Sequence, residues 1–260
     1  MDKVLKEKLI FLADKYENSE FLEKDPSRFM HDFSNSDEQE IVAFIAANLS
    51  FGRREQILLH IEMILNQCKT KNFLPSQWIL NENYKNFFTQ KNKSFYRMFT
   101  HNDMILFFDG IKKILEEDGT LGLHVKKQIE SRKKILNQKE IYPCKIIAQD
   151  FDLNCKLIPH TEQSADKRIN MFLRWMVRKN SPVDLGLWNS WFSQKNLLMP
   201  LDTHVMQQAT SLGLLPLSKS GKVLNASLKT AISLTEKLKE VFPDDPVKAD
   251  FALFGYGVNS

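Results

Sequence analysis

Apolar residues recur at helical spacing through nearly every long segment of this chain, and that recurrence limits the fold more than any other feature. In "DEQEIVAFIAANLSFGRREQILLHIEMILNQC", Ile41, Phe44, Ile45 and Leu49 share one face. Ile57, Leu58, Ile61, Ile64 and Leu65 share another, with Gly52 at the break between the two helices. "HNDMILFFDGIKKILEEDGTLG" keeps the period and ends on a capping glycine, Gly119. "GLHVKKQIESRKKILNQK" sets Val125, Ile129 and Leu136 on one side and holds six basic residues against one acid from Lys126 to Lys139. From Lys222 to Val241, the residues Leu224, Leu228, Ile232, Thr235 and Leu238 predict a further helix. No alternating strand pair flanks a hairpin turn, and no internal repeat occurs. The expected class is all-α. Segment 140–163, "EIYPCKIIAQDFDLNCKLIPHTEQ", is the least periodic and reads as an irregular loop or a connection between lobes.

A chain of 260 residues suffices for one large domain or two small lobes. Hydrophobic content of 43% with 26% charged residues fits an ordered globular protein. Nine glycines, with no GxGxxG or GxxxxGK[ST] string, argue against Rossmann and P-loop architectures. The net charge of +4 admits a nucleic-acid partner without requiring one. Cys68, Cys144 and Cys155 form no CxxC pair, which excludes a zinc ribbon and a four-cysteine cluster, so no metal site is expected. They read as reduced thiols of a cytoplasmic protein. The opening "MDKVLKEKLIFLADKYENSEF" is charged throughout, with neither a signal-peptide core nor a membrane-spanning run, so no membrane partner is expected.

Two stretches carry candidate chemistry. In "SADKRINMFLRWMVRKN", Ser164 is a plausible N-cap. Ile169, Phe172, Leu173, Met176 and Val177 fall in one arc of the helix. Lys167, Asn170, Arg174 and Arg178 fall opposite, with Met171 and Trp175 along the edge. Such a stripe is either a solvated back or a surface for phosphates and unstacked bases. In "NLLMPLDTHVMQQATSLGLLP", Pro200 disfavours helix at Met199, and Asp202 stands where an N-cap belongs, ahead of a helix closing at Gly213. A capping Asp is held ionised by amides and the helix dipole, which serves a plain helix and a catalytic carboxylate equally well.

The string "LDTHV" at 201–205, with Lys167 in "DKRINMF" upstream, resembles the helix–hairpin–helix DNA glycosylases (HhH-GPD superfamily). Their (V/L)DTH(V/I)-type Asp begins a helix, and members that also cleave the strand carry an upstream lysine. The 35 positions between Lys167 and Asp202 are similar to the longer spacing of the archaeal 8-oxoguanine glycosylase branch. "KRINMFLRWMVR", "PLDTHV", "DEQEIVAFIAANLSFGRREQI" and "FPDDPVKADFALFGYGV" also resemble an uncharacterised bacterial family of that superfamily, over most of the chain. The resemblance implies an all-α, two-lobed fold with a cleft between the lobes, spanning 1–260, with a lobe connection near 140–163. The glycine-rich hairpin expected before the lysine is missing: residues 158–166 read "IPHTEQSAD". Phosphate docking would then pass to Lys167, Arg168 and neighbouring amides. Cluster cysteines are missing too, so no cofactor is implied.

The resemblance further implies a monomeric, nucleoid-associated base-excision enzyme acting on double-stranded DNA that contains a damaged base, an oxidised purine by analogy. Asp202 would stabilise positive charge building on the sugar. Lys167 would be the nucleophile and proceed through a Schiff base to strand cleavage, with Arg168 and Arg174 lowering its proton affinity. Asn170, Arg174 and Trp175 are candidate DNA contacts. Ser50, Arg53, Arg54 and Gln56 in "LSFGRREQ" are candidates for filling the vacated position in the duplex. His204 is expected to make a structural hydrogen bond beside the site. Asp250 could contact the base, in a last helix that closes the pocket. Phe51, Trp175, Trp188, Trp191, Phe251 and Phe254 are possible stacking rings, core packing being the commoner role of each. Two other readings stay open: a non-catalytic nucleic-acid-binding module on the same scaffold, and an all-α protein-interaction scaffold.

Overall fold

The computed structural model describes residues 1–135 and 141–259, and it is mostly helical. Leu136 and Lys139 of the basic segment, and Glu140 of the aperiodic one, lie outside the described residues. The chain divides into two compact units, one of Met1–Glu23 with Thr161–Ser260 and one of Lys24–His160. The first unit opens with α1 (Lys3–Tyr16). The second carries α2 (Arg28–His31), α3 (Ser36–Leu49), α4 (Arg54–Thr70), α5 (Pro75–Leu80) and α6 (Asn83–Phe87). A small antiparallel hairpin follows, β1 (Ser94–Tyr96) and β2 (Phe99–Thr100). Then come α7 (His101–Asp118), α8 (Leu121–Ile135) and α9 (Pro143–Gln149). The chain returns to the first unit with α10 (Lys167–Val177), α11 (Thr203–Ser211), α12 (Leu228–Leu238) and α13 (Ala249–Asn259). Among the described residues no helix is long and apolar enough to cross a membrane.

The second unit is organised around α3. Asn35 caps it by accepting from the Asp37 and Glu38 amides. Beyond the expected stripe, Val42, Ala43, Ala46 and Ala47 are buried as well, and these small residues let neighbours close in on every side. Phe44 stacks against Phe107 and Phe151, each with ring centroids 5.6 Å away. Two buried carboxylates of α3 serve other helices. Glu38 accepts from the Ser76 amide at 3.0 Å and Glu40 from the Gly122 amide at 2.9 Å, so the exposed donors at the starts of α5 and α8 are satisfied. Gly110 lets α7 approach Phe151: a Cβ there would stand 2.3 Å from the ring.

Three local expectations need correction. The hairpin was unforeseen because strands of three and two residues are too short to show alternation. The aperiodic segment contains α9, started by Pro143 at its first position, where the missing N–H costs nothing. Seven residues are too few for a helical period to register. In the first unit, α12 begins only at Leu228, with the Ser227 hydroxyl accepting from the Thr230 amide at 3.2 Å. Its buried face is Thr230, Ala231, Leu234, Thr235 and Leu238, one residue round from the expected one. There α1 packs on α13, and Gly255 makes room for the Tyr16 ring, which a Cβ would meet at 2.1 Å.

His124 of α8 joins three helices of the second unit. Its buried ring holds Asp118 through Nδ1 at 2.6 Å and faces Asp150 from Nε2 at 3.0 Å, an ion-pair contact off the hydrogen-bond axis. Lys127 also reaches Asp118, at 2.6 Å. Asp150 raises the affinity of His124 for its proton, burial opposes it, Asp118 adds to the rise, and the net direction is upward. The imidazolium therefore contributes stability in full below the unfolded-state value of about 6.5 and loses it as pH rises through the folded-state value. Urea denaturation of wild type and His124→Gln at pH 6 and pH 9 should show the wild-type advantage shrinking at the higher pH. Gly110→Ala should cost about 1–3 kcal/mol in the same assay, because the Phe151 ring must be displaced.

Candidate active site

Lys167 opens α10, and Asp202 caps α11. Asp202 is extended, with its Oδ1 accepting from the Val205 amide at 2.9 Å and its carbonyl accepting from the Met206 amide at 2.9 Å. The cap therefore forms where the sequence places it. The second carboxylate oxygen stays available, and it lies 2.9 Å from Lys167 Nζ. Both side chains are about one-third exposed, at 34% and 30%, so an amine and a carboxylate 35 positions apart in sequence meet at one accessible spot. Partial burial alone would raise the Asp202 carboxyl. The Lys167 charge, the Val205 amide and the His204 charge outweigh it and leave the group below its ordinary value.

Asp250, in the first turn of α13, lies within electrostatic reach of this pair. Burial pushes its carboxyl up, Arg174 and Lys167 pull it down, and the negative charge of Asp202 adds to the rise. Arg174 holds Asp250 through Nη1 and Asp184 through Nε at 3.2 Å. One turn on, Arg178 pairs with Asp184, with Asp245 at 2.8 Å and with Glu17 at 2.8 Å. Both guanidinium groups also lie over the Phe251 ring, at 4.6 and 5.4 Å. Guanidinium is the cation suited to such burial, since it is always charged and forks onto several carboxylates.

This network overturns the expected basic stripe. Arg174 is 4% exposed, Asn170 2% and Trp175 0%, so none of the three presents itself to DNA. Asn170 spends its amide on the Ala165 carbonyl at 2.8 Å. Arg174 cannot act as a spare cation beside Lys167, because Asp184 and Asp250 engage it. Between Ser164 and Asn180 the sequence holds no acid but Asp166, yet the neutralising carboxylates arrive from Asp184 just downstream and from Glu17, Asp245 and Asp250. Their roles carry no local signal. The N-cap of α10 is Asp166, in the left-handed region at φ 44°, while Ser164 accepts from the Asp166 amide at 3.1 Å.

Among the other expected residues, Arg168 is half-buried at the second position of α10. His204 is exposed and, among the described residues, its side chain makes no hydrogen bond, so its expected structural bond is absent. Trp188 and Phe251 are buried, and Phe254 makes edge contacts with Tyr16 at 5.8 Å and Phe21 at 5.2 Å, which identifies them as packing rings. Arg53, Arg54 and Gln56 are exposed at the start of α4 in the other unit, whereas Ser50 is buried and donates to the Ala46 carbonyl at 2.7 Å.

A family model described as "Protein of unknown function (DUF2400)" matches residues 25–259. The chain belongs to that family. No curated protein and no solved structure matches it. The matched span includes Lys167, Asp202 and every network residue named above except Glu17. Removing one member of a buried charge network strands the others in a dry interior. Arg178→Ala should therefore cost about 3–5 kcal/mol in urea denaturation, the cost expected on breaking a buried pair.

Proposed function

We propose that the chain is a DNA glycosylase of base excision repair, working on double-stranded DNA with a damaged base, and that its two helical units adopt the helix–hairpin–helix glycosylase fold. The observation that supports this is the Lys167–Asp202 pair, 2.9 Å apart and reachable by solvent, in the "LDTHV" context. In this reading the bond from the sugar C1′ to the base breaks with its electron pair leaving on the base. Asp202, held ionised by the Val205 amide and by Lys167, faces the positive charge left on the sugar. Lys167, after giving up a proton and parting from Asp202, forms the new bond to C1′. Loss of the amine's second proton and opening of the sugar ring, with O4′ leaving C1′ and taking up a proton, yield a protonated Schiff base; loss of a C2′ proton then forms a double bond, expels the 3′ phosphate and cuts the strand. Asp250, carried by Arg174, sets the charge around the pair. An oxidised purine is the proposed lesion, and a monomer the proposed working form.

Asp202→Asn is a clean test, because Asn caps a helix as well as Asp and so removes the charge alone. On a panel of single-lesion duplexes, the variant should release base at least about a hundredfold more slowly than wild type. Borohydride should trap wild type on the lesion strand, and Lys167→Gln should leave no cross-link. Base release from no lesion, or equal release by Asp202→Asn, would exclude the reading and leave a non-catalytic nucleic-acid-binding module in its place.

A further inference from the structure

With Arg174 and Arg178 neutralised inside the first unit, positive charge without a carboxylate partner has to be sought elsewhere, and the second unit carries it on a hairpin whose turn meets an exposed aromatic ring. Phe51, in the break between α3 and α4, is 41% exposed although it is a large apolar side chain. The Arg97 guanidinium lies 4.6 Å from the centre of its ring. Arg97 sits in the turn of the β1–β2 hairpin at φ 53°, a left-handed conformation that costs a non-glycine residue about 1–2 kcal/mol. The hairpin is fixed to the break from both sides. Tyr96 donates its hydroxyl to the Phe51 carbonyl, and a Cβ at Gly52 would stand 2.3 Å from Arg97 Nη1. His60 of α4 packs against Phe95 and Tyr96 at 5.1 and 4.6 Å.

Arg53 follows directly in sequence, exposed, and Met98 beside Arg97 is 57% exposed. Among the described residues, Arg53, Arg97, Lys91 and Lys93 have no carboxylate partner. The hairpin's foot carries Lys91 and Lys93, whose carbonyls accept from the Asn102 and His101 amides. Glu55 is the acid nearest in sequence. Cations alone would serve an acidic peptide, and an exposed ring alone would serve an apolar partner. A ring braced by a guanidinium among unpaired cations matches a partner offering flat π faces and phosphates at short, regular intervals.

We propose that Phe51 and Arg97, with Arg53 and the lysines at the hairpin's foot, form a stacking platform for an unpaired stretch of nucleic acid. This deepens the proposed function and rests on it for the identity of the partner, but it concerns a surface of the second unit that no catalytic step uses. A base stacks on the Phe51 side of the pair, while Arg53 and the lysines meet phosphates.

The test is binding of a fluorescein-labelled oligodeoxythymidine strand across a salt titration, with base release measured on the same proteins. Phe51→Ala should weaken binding about tenfold with little change in salt slope. Arg97→Asn, a residue that tolerates the left-handed turn, and Arg53→Gln should each flatten the slope by about 0.7. Thermal melts of the variants confirm that each is folded. Absence of salt-sensitive binding by wild type, or wild-type affinity and slope in folded Phe51→Ala and Arg97→Asn, would overturn the platform. If those variants bind normally while Asp202→Asn abolishes base release, the platform falls and the glycosylase reading stands. If they lose affinity while no lesion is processed, the platform stands and the glycosylase reading falls.

Discussion

The first unit depends on burying two arginines of α10. Arg174 and Arg178 are nearly inaccessible, and each is shared between Asp184, from the segment just after the helix, and carboxylates from distant parts of the chain. A charge inside a protein is tolerable only with partners in place, so α10, the segment after it, α1 and the start of α13 must converge on one geometry or none. That convergence turns a helix with an ordinary amphipathic pattern into an interior one and leaves Lys167, at its first turn, as the cation that reaches solvent beside Asp202. The same charges that fix the helix bring Asp250 into the field of the pair.

What could be read from sequence was what neighbours along the chain decide. The cap at Asp202 depends on amides three and four residues away, and it forms as expected. The glycine stop at Gly119 and the break at Gly52, with φ of 82° and 117°, are local backbone requirements of the same kind. The periodic helices α3, α4 and α7 were likewise legible, because each buries a face long enough to repeat. The meeting of Lys167 with Asp202 was legible only through a resemblance; nothing in the spacing itself brings the two together.

The failures have two causes. Whether a basic stripe is wet or dry depends on acids elsewhere, and Asp184, Asp245, Asp250 and Glu17 could not be matched to Arg174 and Arg178 from the string alone. The hairpin and α9 are too short for their pattern to repeat often enough to stand out. The reversal at Phe51 is of the first kind. It was one aromatic among several with core packing as the commoner role, and only the contact with Arg97, 46 positions away, sets it apart from Trp188 and Phe251.

The first unit is assembled from the two ends of the chain, with α1 against α13 and the whole second unit between them in sequence. On the ribosome this arrangement imposes an order. Residues 24–160 are complete and can fold while the remainder is still being made, but α1 has to wait, its Leu9 and Leu12 uncovered, until the last helix emerges. The core of the first unit therefore closes later than that of the second, once α13 stands against α1.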